Sequence, residues 1–71
     1  MNEITITDID VVTLSSQSFA TEYAEFLSSG HADAKLVFAQ WEGWLETLDS
    51  SLLRAYARRA FEREFAFLTS K

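Results

Sequence analysis

The chain has no cysteine and no proline, only two glycines, Gly30 and Gly43, and a single histidine, His31. Without cysteine there are no disulfides and no thiolate metal sites. One imidazole falls short of the several ligands that a structural zinc requires. Two isolated glycines exclude a glycine-rich loop of the kind that cradles phosphates. No apolar run approaches the roughly 20 residues that cross a bilayer, and no basic start leads into a hydrophobic stretch. A cytoplasmic protein with no membrane contact is the default expectation. Low-complexity tracts and internal repeats are also missing. Serine, aspartate and histidine are all present, yet nothing places a nucleophile beside an oriented base. The sequence therefore predicts no enzyme, no cofactor and no metal.

What remains points to a packed core. A chain of 71 residues makes one domain at most, and a domain that small buries only about 60% of its unfolded surface. Small folds usually add a disulfide, a metal, oligomerisation or very well packed helices, and the first two are excluded here. The chain is 48% hydrophobic, with six Phe, two Trp and two Tyr. Each ring buries roughly 150–250 Å², more in total than one short chain covers easily. That surplus excludes disorder and predicts a homodimer or a bound partner.

The formal net charge is −5, which disfavours nucleic acid, whose non-specific binding rests on Lys and Arg meeting phosphates. The charges are also segregated. Residues 1–49 carry nine acids against one base, Lys35, whereas the remainder carries Arg54, Arg58, Arg59, Arg63 and Lys71 against Glu62 and Glu64.

Along the chain, residues 1–14 read as an extended arm or strand, because Ile4-Thr5-Ile6-Thr7 alternates and β-branched residues continue through Val11 and Val12. Residues 15–71 read as the helical domain. A first helix over 17–28, capped by Ser15 or Ser16, gathers Phe19, Ala20, Tyr23, Ala24, Phe26 and Leu27 on one face. Gly30 stands where a left-handed cap ends a helix. A second helix over 34–48, with Asp33 as N-cap, carries the stripe Ala34, Val37, Phe38, Trp41, Trp44, Leu45 and Leu48. A third over 52–68, capped by Asp49 or Ser50, turns Leu53, Tyr56, Ala57, Ala60, Phe61, Phe67 and Leu68 inward. Short connections favour antiparallel neighbours. The fold class is mainly α: a small antiparallel three-helix bundle with a short N-terminal arm, expected to dimerise.

Several residues fall outside this core pattern. On the second helix, Leu36, Ala39 and Gly43 form an outward strip, and its small residues admit a second backbone; a glycine within a helix costs about 1 kcal/mol against alanine. Glu64 lies by angle within the third helix's apolar face, where a buried carboxylate needs a partner, such as an arginine of a second copy. These four are the candidates for self-association. Arg54, Arg58 and Phe65 flank the third helix, and arginine and aromatic residues dominate interface hot spots; the plainer reading is that the arginines answer acids within the bundle. Glu22, Glu25, Glu42 and Glu46, with Asp8 and Asp10, give an acidic surface suited to a basic partner, or simply a solvated one. His31, in the first inter-helix loop, reads as a capping or exposed residue.

The resulting expectation is a non-enzymatic, protein-binding modulator, of the inhibitor, anti-activator, antitoxin or immunity type, that covers a surface of a partner protein. The alternatives are a DNA-binding regulator using the third helix and a structural subunit of a larger assembly.

Overall fold

Three helices account for almost all of the residues that the computed structural model describes, 6–70: α1 (Ile6–Ser28), α2 (Ala34–Glu46) and α3 (Ser51–Thr69). The second and third lie close to their predicted spans. Ser50 caps α3 from an extended backbone (φ −108°, ψ 128°), its hydroxyl accepting the Leu53 N–H at 3.2 Å. Asp33 stands at the N-cap of α2 but its side chain makes no capping bond. The connection between α2 and α3 is held by the Arg54 guanidinium, which donates to the Leu48 carbonyl.

The end of α1 is a complete left-handed cap. Gly30 has φ 70°, a region open to glycine because it has no Cβ. The Gly30 N–H donates to the Leu27 carbonyl at 3.1 Å and the His31 N–H to the Phe26 carbonyl at 2.8 Å. These are the two bonds of a Schellman motif. Its usual side-chain contact is also present, made here by the His31 ring stacked on Phe26 at 4.5 Å.

The start of α1 overturns the expected arm. Residues 6–14 are helical rather than extended; residues 1–5 lie outside the described residues. Ser16 is likewise no cap but a fully buried mid-helix residue. β-branched side chains lower helix propensity by only a few tenths of a kcal/mol each, and tertiary burial offsets that. Val12, Ser16 and Ala20 continue one buried face, with Phe19 and Tyr23 packed beside it. Asp8 in the first turn suits the positive end of the helix dipole.

Small residues set how closely the helices approach. Ser16 and Ala20 of α1 and Ala57 and Ala60 of α3 are all buried, and α1 and α3 form the most extensive helix pair. Thr13 and Gln17 share a groove with residues 56–67, and Thr21 to Ser28 share one with Leu68 and Thr69. The two helices therefore run parallel, with α2 antiparallel to both. Contacts between α2 and α3 are made chiefly by rings: Trp41 stacks on Phe61 at 4.1 Å and Phe38 meets Phe61 edge-on at 5.8 Å. The bundle is flattened as a result, 44 × 23 × 14 Å. Its core joins Val12, Ala20, Trp41, Leu45, Ala57 and Phe61. The one buried polar side chain among the described residues, Ser16, accepts the Trp41 indole N–H at 3.2 Å.

A candidate interaction face on the third helix

Residues spaced three or four apart share one side of a helix. On α3 the series Leu52, Tyr56, Arg59, Arg63 and Phe67 obeys that spacing, and all five face outward. Leu52 is 51% exposed, Tyr56 38% and Phe67 74%; both arginines are exposed. Tyr56 and Phe67 therefore leave the core face to which the sequence assigned them. The reason is that α3 has two neighbours, α1 and α2. Its buried arc is centred on Ala57, Ala60 and Phe61, which turns Tyr56 and Phe67 out of the core.

The stripe borders an open groove of about 600 Å³ between α3 and α1. Thr13 and Gln17 supply the α1 wall; Tyr56, Arg59, Ala60, Arg63, Glu64 and Phe67 supply the other. Glu64 is half-buried there. Among the described residues neither Arg59 nor Arg63 nor Glu64 lies within ion-pair distance of an opposite charge. Arg59 and Arg63 thus present free guanidinium groups, and Glu64 a free carboxylate. The expectation that the α3 arginines answer acids of the first two helices is not met by a single pair.

The structure divides the remaining candidates. Phe65 is half-buried and packs on Tyr23 at 5.4 Å and on Phe61 at 6.3 Å. It belongs to the aromatic core, not to a free partner-binding surface. Arg54 is half-buried and occupied with the Leu48 carbonyl, so it serves the α2–α3 turn. Arg58 is exposed but lies off the stripe, on the opposite flank of α3. Glu22 and Glu25 are exposed on α1, and Glu42 and Glu46 on α2, one turn apart; no contact joins the two pairs. Leu36, Ala39 and Gly43 do form an exposed strip on α2. A Cβ added to Gly43 would meet no atom within 4 Å, so nothing inside the chain requires glycine there.

His31 stays in the loop. Its Nδ1 accepts the Asp33 N–H at 3.0 Å while its ring closes the α1 cap, which is the capping role expected of it. Among the described residues no three His, Asp or Glu come together to hold a metal ion, and no helix is long and apolar enough to cross a membrane.

The sequence did contain a signal for the α3 stripe. Leu52, Tyr56, Arg59, Arg63 and Phe67 repeat with helical spacing on one side of the helix, but apolar periodicity alone assigns Tyr56 and Phe67 to the core. Comparison with protein-family models, with curated proteins and with solved structures returned no match.

Proposed function

We propose that this chain is a non-enzymatic, protein-binding modulator, of the inhibitor, anti-activator, antitoxin or immunity type. It acts in the cytoplasm as a homodimer that covers a basic surface of a partner protein. The observation that carries the reading is the segregation of unpaired charge. Glu22, Glu25, Glu42 and Glu46 are exposed on α1 and α2 and make no ion pair among the described residues. Carboxylates left free in this way steer encounter with a cationic surface and select among partners.

The DNA-binding alternative draws less support. Arg54 is tied to the α2–α3 turn, Arg58 and the Arg59–Arg63 pair sit on different flanks, and Glu62 and Glu64 interrupt the set. A structural subunit of a larger assembly asks for the same exposed surfaces and differs in being insoluble or aggregated when made alone.

The test is affinity capture by the immobilised chain, followed by purification of whatever is retained and a binding titration in low and high salt. Wild-type protein should bind a basic partner with salt-dependent affinity. A variant with all four glutamates changed to Gln should lose most of that affinity. Undiminished binding by the four-Gln variant overturns the assignment.

A further inference from the structure

We infer that the outer stripe of α3 is the contact between two copies of this chain, packed antiparallel about a twofold axis that passes between Arg59 and Ala60. The inference rests on the homodimer proposed above and names its contact; this surface is separate from the four glutamates, so its failure leaves the basic partner untouched.

The argument begins with the order of residues along the stripe. A twofold contact is isologous: if residue i meets residue j of the other copy, j meets i. With a rise of about 1.5 Å per residue, an axis between positions 59 and 60 brings Phe67 level with the second copy's Leu52, about 11 Å from the axis. It brings Arg63 level with the second copy's Tyr56, about 5 Å from the axis. The stripe therefore complements its own reverse. Two exposed apolar residues cover each other at both ends, and an unpaired guanidinium meets an exposed phenol ring one turn further in, a favourable cation–π arrangement.

The centre of the stripe fits the same register. Ala60 is buried and turned inward, so of the two central residues Arg59 alone faces the axis. The two copies of Arg59 flank the axis, where like charge opposes association unless each is neutralised. Glu64 supplies that charge. In this register the second copy's Glu64 lies about 6 Å along the axis from Arg59, one helical turn and within reach of an extended arginine side chain. Arg59 and Glu64 line one groove within a chain without pairing there, and a second copy pairs them twice. An anionic polymer in the groove would meet Glu64 as a repulsive charge. The contact is one helix face about 22 Å long, so it falls at the small end of specific interfaces, below roughly 1,200 Å² in total. A reversible dimer that dissociates in the micromolar range is expected.

A cysteine-free chain allows a clean test by introduced cysteines, all at exposed positions. Sedimentation equilibrium on the wild type should show a monomer–dimer equilibrium. Tyr56→Ser with Phe67→Ser should weaken it about tenfold or more, the effect expected of losing hot-spot side chains, with circular dichroism unchanged. Under mild oxidation Arg59→Cys should cross-link to itself, because that position lies at the axis. Leu52→Cys alone should not, whereas a mixture of Leu52→Cys and Phe67→Cys chains should yield the mixed dimer. A monomer at millimolar concentration overturns the inference. So does equal self-cross-linking at positions 52, 59 and 67, which signals a parallel pair. A dimer with no cross-link at any of the three also overturns it, and assigns the contact elsewhere, with the α2 strip of Leu36, Ala39 and Gly43 next to be probed.

Discussion

The hydrogen bond between Trp41 and Ser16 is the sharpest test of how this core is specified. Ser16 is fully buried and Trp41 is 6% exposed, and the indole N–H reaches the hydroxyl at 3.2 Å. Ser16→Ala removes the acceptor but leaves the donor in place. A buried donor without a partner costs about 1–3 kcal/mol. Alanine's better helix propensity returns roughly 0.5 kcal/mol, so a net loss of about 1–2 kcal/mol is expected. In a domain of this size each kcal/mol moves Tm by about 4–8 °C. The assay is urea denaturation followed by far-UV circular dichroism, at one fixed protein concentration because any self-association changes apparent stability. Trp41→Phe supplies the other edge of a double-mutant cycle. With the indole N–H already gone, Ser16→Ala should cost almost nothing, giving a coupling energy of about 1 kcal/mol or more. An unchanged midpoint for Ser16→Ala in the wild-type background would refute the reasoning. Equal losses in both backgrounds would show that the hydroxyl matters for packing and not as an acceptor.

Two further substitutions test local backbone arguments. Gly43→Ala should stabilise the fold by about 1 kcal/mol, the propensity difference inside a helix, since the new methyl group meets empty space; thermal denaturation reads it, and a loss of stability would mean that another chain packs closely there. Gly30→Ala should destabilise by roughly 1–2 kcal/mol, the cost of a side chain in the left-handed region, because φ is 70° at that position; an unchanged Tm would show that the α1 cap relaxes to another conformation.

The sequence revealed α2 and α3 nearly to the residue, because an apolar stripe with helical spacing, a capping serine and short turns all agreed. It hid the first half of α1. There the buried face consists of Val12, Ser16 and Ala20, one β-branched residue, one polar residue and one methyl group, so hydrophobic periodicity is faint while β-branched composition is loud. Ser16 looked like a cap because a serine's value as a buried acceptor depends on Trp41, which is 25 residues distant in sequence. Phe65 and Phe67 were exchanged for a related reason. Both lie near the edge of the α3 apolar arc, and which one turns inward depends on where Tyr23 sits, a property of the assembled bundle. The candidate interaction face was legible only in part. The exposed glutamates and the α2 strip could be read from helical angle, whereas the Arg59–Arg63 stripe emerged once Tyr56 and Phe67 were seen outside the core.

The parallel seam between α1 and α3 also constrains how the chain folds. Its buried small residues, Ser16 and Ala20 on one helix and Ala57 and Ala60 on the other, lie more than half the sequence apart. Helical bundles usually fold fast because their contacts are local; here the largest contact is the least local one. During synthesis, α1 and α2 can meet through Phe19, Tyr23, Phe38 and Trp44, but the small-residue side of α1 stays wet until α3 has left the ribosome. The cooperative step therefore waits for α3. Before it, the rings of α1 and α2 lack the α3 face that covers them, and exposed apolar surface of that kind favours aggregation.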